Sequence, residues 1–228
     1  MSRKELISRY IFSTFGMLLV AVGIALSIVA NLGTSPLNVA SYAMSEGVAM
    51  ISIGMANFIV YAVFVLLQFI VLGKEFKAAD LLQLVANAIL SLMIDGSLWL
   101  LGACGITPSN DTMQYIFIVL ACIITAFGIS MEVVSNAWML PAEMTVSAFT
   151  RRFGGKFDTN KVIMDCLMLA LGALLCLWFF DGRPLGPEGK PIIGWGTVIM
   201  ALSIGLRMKL TTPVIKRWWE RIQSKVQA

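Results

Sequence analysis

Residues 21–43 read AVGIALSIVANLGTSPLNVASYA, and residues 126–148 read AFGISMEVVSNAWMLPAEMTVSA. Laid over one another at an offset of 105, they match at Ala21/Ala126, Gly23/Gly128, Ile24/Ile129, Val29/Val134, Asn31/Asn136, Pro36/Pro141 and Ala43/Ala148. Seven identities in 23 ungapped positions stand against roughly one or two expected by chance, and repeats of this kind decide an architecture. A glycine, an asparagine and a proline recur in register, and these residue types constrain the backbone in ways a leucine coincidence would not. Each copy reads as a long apolar helix, an asparagine, a proline-led short helix (36–48 and 141–153) and two more long helices. Pro36 and Pro141 suit the first turn of a new helix, where the missing N–H needs no partner. About 13 residues cannot cross a bilayer that needs about 20, so the short helices either re-enter the membrane or lie on its surface.

The rest of the chain is built of the same material. Of its 228 residues 58% are hydrophobic and 13% charged, with a mean hydropathy of +0.85; soluble domains carry roughly 45–50% apolar and about 25% charged residues. So much apolar surface must face lipid or other helices. Six stretches are long enough to span: 10–32, 51–72, 79–102, 114–137, 158–180 and 191–208. The first follows Met-Ser-Arg-Lys but is too long for a signal peptide and lacks a cleavage site, so it reads as a retained helix. The fold class expected is all-α and integral to the membrane. Residues 1–105 form the first three-span repeat, 106–208 the second, and 209–228 a basic amphipathic tail.

Charge sets the orientation. With the N-terminus in the cytoplasm, 15 of the 17 basic residues lie inside and only Arg183 and Lys190 outside. That asymmetry supports six spans in the plasma (inner) membrane with both termini cytoplasmic. Trp99, Trp138, Trp178 and Trp195 fall near helix ends, where indole rings favour the interface. After Leu210 the tail mixes apolar and aromatic residues with basic ones, which predicts a short helix on the inner leaflet. Three spans per copy is an odd number, so the second copy is inserted upside down. Inverted repeats with interrupted helices are a construction of secondary transporters and some channels, with the site near the midplane.

The same residues carry a resemblance. Ala-Asn-Leu-Gly-Thr-Ser-Pro-Leu-Asn-Val (30–39) resembles the Leu-Gly-x-x-Pro-x-Asp-Val signature of the YczE/YyaS/YitT group of bacterial membrane proteins. Leu140-Pro141-Ala142-Glu143 with Lys161 and Asp165 resembles that group's second-half pattern. Gly194-Trp195-Gly196-Thr197 leading to Gly205 resembles its last-helix motif. The resemblance implies a multi-pass inner-membrane protein of about this size and little about activity. Asn38 stands where the first-half pattern often has an acid, which leaves Glu143 as the one carboxylate of that symmetric pair.

An ionisable group inside a span is costly and is a functional candidate by default. Asp95, Glu132 and Asp165 qualify, with Glu143 at the start of the second short helix. Glu143 reads either as helix-terminus stabilisation or as a carboxylate that binds a cation or proton beside the repeat axis. Glu132 shares a helix face with Asn136 four residues on, lining a cavity or pairing with Arg151, Arg152 or Lys161. Asp165 follows Lys161 at the i,i+4 spacing of a local salt bridge, with a relay role as the alternative. Asp95 has no basic neighbour in sequence. Asn31, Asn38, Asn57, Asn87, Asn136, Gln68 and Gln83 are the uncharged companions. The expected solute or ion site therefore comprises Glu143, Glu132, Asn136, Asn31, Asn38, Asp165 and the two prolines, Pro36 and Pro141.

Several classes fall away. With no histidine, zinc proteases of the H-E-x-x-H kind and Ser-His hydrolases lack an essential residue. Asp95 and Asp165 lack a Gly-x-Gly-Asp context, so an intramembrane protease is disfavoured and no catalytic residue is assigned. The four cysteines form no C-x-x-C pair and the 14 methionines are scattered, so both read as core filler rather than metal or redox sites. No cofactor, metal or nucleic-acid motif is present. The leading expectation is a secondary transporter of a small polar or charged solute, with protons or Na⁺ coupled through Glu143, Glu132 or Asp165. The alternatives are an accessory or regulatory subunit without a solute site, and a channel. The expected partners are the lipid bilayer and a small solute or ion, with a homo-oligomer or partner subunit left open.

Overall fold

The structure, a computed structural model, describes residues 3–138, 140–181, 183–186 and 189–227; the side chains of 158, 204–209 and 225–227 lie outside that set. Eight α-helices follow one another: α1 (Arg3–Val29), α2 (Pro36–Gly47), α3 (Ile53–Leu72), α4 (Leu82–Ala103), α5 (Asp111–Ser135), α6 (Pro141–Phe153), α7 (Phe157–Phe179) and α8 (Trp195–Gln227). Among the described residues no strand forms beyond the isolated Leu185–Pro191 bridge. Among the described residues five helices, α1, α3, α4, α5 and α7, are long and apolar enough to cross a membrane. Their outward faces are apolar too, as at Leu92 on α4 and Trp178 on α7, each about three-quarters exposed or more. The protein is a multi-pass membrane protein.

Helix boundaries follow from capping chemistry. Ser52 Oγ accepts from Met55 N–H at 3.0 Å to open α3, and Asn110 Oδ1 accepts from Met113 N–H at 2.9 Å to open α5. Each satisfies a donor that the first helical turn leaves orphaned. α2 and α6 begin at their prolines, as expected. Asn31 and Asn136 both adopt the left-handed conformation, φ 55° and 48°, which asparagine tolerates better than other residues with a side chain. They end the long helices and turn the chain back on itself.

Lipid tails are as apolar as leucine, so membrane helices associate through close packing and polar contacts rather than through water exclusion. α1 and α5 show this at their centre. A side chain on Gly128 would collide with Gly16 O and the backbone of Val20, and one on Gly23 with Thr125 and Ala121 O. The two helices are antiparallel, since Arg9 near the start of α1 donates to Ser135 O at the end of α5, 3.2 Å away. α4 packs on α1, and α8 on α5.

Both short helices sit within the bundle rather than on its surface. Asn38 to Ala43 are all buried in α2, as are Pro141, Ala142, Thr145, Val146 and Ala148 in α6. α2 lies along α7, with Gly172 against Val39 and Phe179 against Gly47. α6 lies along α3, with Thr145 meeting Phe64 and Gln68 near its start and Arg151 pairing with Glu75 near its end.

One expectation changes. The segment after Leu210 is not a separate helix: α8 continues through Pro213 to Gln227. The continuation is held because Ile215 and Trp219 bury against Phe12 and Met131, and Gln223 Nε2 donates to Ser8 Oγ at 3.1 Å. The expected sixth span, 191–208, falls in the first part of α8, and the side chains around Gly205 lie outside the described residues.

Candidate functional site

The two chain breaks, at residues 30–35 and 136–140, differ in how they are filled. The first is closed. Gly196 N–H donates to Leu32 O at 2.7 Å, and Gly33 (φ +89°) lies so close to Gly194 and Thr197 that no larger residue fits there. Ser27 and Thr34 share a 2.8 Å hydrogen bond, and Asn38 Nδ2 donates to Ser35 Oγ at 2.9 Å. Asn31, Pro36 and Asn38 therefore belong to a packed junction with the start of α8, although Asn38 Oδ1 is left without a partner.

The second break opens a cavity of about 220 Å³. Its polar lining is Glu132 and Asn136 at the end of α5, with Glu143 and Ser147 on the first two turns of α6. Ile129, Val133, Leu140, Met144, Phe157 and Trp138 supply the apolar wall. Glu132 is 7% exposed, and neither its Oε1 nor Glu143 Oε2 has a hydrogen-bond partner. A buried carboxylate oxygen without a partner carries a desolvation penalty that nothing in the chain offsets. Glu132, Glu143 and Asp165 all lie within electrostatic range of Tyr61, which is 5% exposed on α3.

Three expected residues thus converge: Glu132, Glu143 and Asn136. Pro141 positions them by starting α6, and its carbonyl is fixed from the far side. Thr145 Oγ1 donates to Pro141 O at 2.6 Å, and Gln68 Nε2 reaches the same oxygen at 3.2 Å. Asp165 is absent from the cavity lining and pairs with Lys161 at 3.3 Å, the local salt bridge. Arg151 pairs with Glu75, not with Glu132. Asp95 also has a local duty, accepting from Ser52 Oγ at 2.6 Å and Gly54 N–H at 2.7 Å at the start of α3.

Sequence reasoning missed the cavity's aromatic side. Trp138 carries the signal of an interfacial tryptophan, yet its Nε1–H donates to Thr14 Oγ1 at 3.0 Å and Tyr10 meets its ring edge-on at 4.9 Å. Its proximity to the Asn136 turn, two residues upstream, was the available clue.

Among the described residues no three His, Cys, Asp or Glu side chains converge as a metal site would require. No curated protein and no solved structure matches the chain. Residues 7–213 do match a family, across nearly all of the helical bundle just described, and on that match the chain belongs to the family of unknown function DUF6198.

Proposed function

We propose that this protein is a secondary transporter, moving a small polar or charged solute by alternating exposure of the cavity at the second break. In this reading six spans cross the plasma membrane, both termini are cytoplasmic, and residues 1–105 and 106–208 are inverted repeats of the YczE/YyaS/YitT type. Contacts support the repeat. Gly23 rests on Ala121 and Thr125, and Gly128 on Gly16 and Val20; the offset of 105 turns each set into the other. It also exchanges α2 lying on α7 for α6 lying on α3. The observation that carries the proposal is a pair of acids, Glu132 and Glu143, lining one cavity at a helix break, each with a buried oxygen that has no hydrogen-bond partner. Intramembrane acids without a structural partner mark solute and ion pathways. A coupled proton or Na⁺ would use the same two acids.

The test is solute counterflow in proteoliposomes, screened with amines, amino acids, organic anions and inorganic ions. A thermal-shift screen at about pH 5.5 and 8 accompanies it, because a ligand that binds the folded state raises its stability. Saturable uptake by the wild type that is lost in Glu143→Gln supports the proposal. Absence of flux for every solute, together with co-purification of a stoichiometric partner, would replace it with the accessory-subunit reading.

A further inference from the structure

We infer that the cavity at the second break takes a small organic cation: a singly charged ammonium on a compact apolar body. The inference deepens the transport reading by naming the solute class at the same site, but its binding claim stands without any flux.

The sign of the ligand follows from what surrounds it. Two carboxylates line the cavity and, among the described residues, no lysine or arginine does. Three nearby cations are committed elsewhere: Arg9 to Glu5 and Ser135 O, Lys161 to Asp165, and Arg151 to Glu75. Glu132 lines the cavity while more than nine-tenths buried, and one of its oxygens has no hydrogen-bond partner among the described residues, so a positive group entering the cavity meets a carboxylate short of donors. The start of α6 would by itself favour an anion. Glu143 already occupies that first turn, so the positive helix end is answered by the chain's own carboxylate.

Size and lining then choose among cations. About 220 Å³ is room for roughly seven waters at about 30 Å³ each, and falls below the 300–1,000 Å³ of drug-sized pockets. Calcium and magnesium need about six or more oxygen ligands, whereas most of this wall is carbon. Apolar side chains with Trp138 and Phe157 among them suit alkyl groups on nitrogen, and aromatic surface attracts such cations further.

The experiment titrates the full chain, in an uncharged maltoside detergent, with tetramethylammonium, ethylammonium, their neutral isostere tert-butanol, acetate, Na⁺ and Ca²⁺. Binding is read by calorimetry and by the shift in unfolding temperature. One or both ammonium ions should bind, and Glu132→Gln or Glu143→Gln should each weaken that binding by about tenfold or more, the scale of losing one close opposite charge. Glu75→Gln, on the exposed ion pair, should leave it unchanged. Binding of acetate or tert-butanol in preference to ammonium overturns the inference, as does binding of Na⁺ or Ca²⁺ alone, ammonium binding that survives both substitutions, or no binding of any probe. These wild-type arms hold even if a variant fails to fold. Ammonium binding without flux in proteoliposomes supports the inference and removes the transport reading; anion flux without ammonium binding does the reverse.

Discussion

Gln68 on α3 and Gln83 on α4 exchange two amide hydrogen bonds, each 3.0 Å long, and Gln68 Nε2 also approaches Thr145 Oγ1 at 3.0 Å and Pro141 O at 3.2 Å. Both glutamines are buried, so the pair ties two long helices to the start of α6 and so to the cavity. Gln68→Leu and Gln83→Leu should each cost about 1–3 kcal/mol, because each strands the other glutamine as a buried polar group. Replacing both by leucine should cost less than the sum of the two single changes. Thermal unfolding of the four proteins in detergent measures this directly.

Asp95→Ala should destabilise the fold by about 1–2 kcal/mol, the scale of a lost helix cap, since Asp95 receives Ser52 Oγ–H and Gly54 N–H. Solute binding at the second break should not change. A loss of binding at undiminished stability would instead return Asp95 to the functional set.

Gly128→Ala sets a methyl group against Gly16 O and the backbone of Val20. Backbone atoms cannot swing aside, so α1 and α5 must part, at a cost of about 1–3 kcal/mol for overpacking. The unfolding temperature should fall. Gly102→Ala, where nothing lies within reach, is the control and should leave it unchanged or raise it.

Trp219 is 6% exposed and packs against Phe12 with ring centroids 4.6 Å apart and the rings tilted by 38°. Trp219→Ala should cost about 3–5 kcal/mol of local packing, enough to free the end of α8. Limited proteolysis should then cut between Pro213 and Gln227 in the variant and spare the wild type.

The long helices, both proline starts and the two breaks were legible because each rests on local chemistry: apolar length, a missing N–H, an asparagine that tolerates positive φ. The contrast between the breaks was legible only in part. At the offset of 105, Glu132 corresponds to Ser27 and Glu143 to Asn38, while Thr34 and Ser35 correspond to Met139 and Leu140. In the first break the hydroxyls of Thr34 and Ser35 bond Ser27 and Asn38. The second has acids where those two stood and side chains without hydroxyls where their partners stood. A comparison by residue type could have exposed that swap. The local roles of Asp95 and Arg151 could not be read this way, because Ser52 and Glu75 reach them across 43 and 76 residues of chain.

The docking of α8 on the front of α1 has a bearing on how the protein is made. Helix α1 is the most buried of the candidate spans, and two of its partners, α5 and the end of α8, lie far downstream of it in the chain. Phe12 waits for Trp219 until more than 200 residues of chain have followed it. The face of α1 notched by Gly16 and Gly23 waits for α5, and the face at Phe12 waits for the end of α8. Assembly therefore closes like a clasp, with the end of α8 fastening the front of α1.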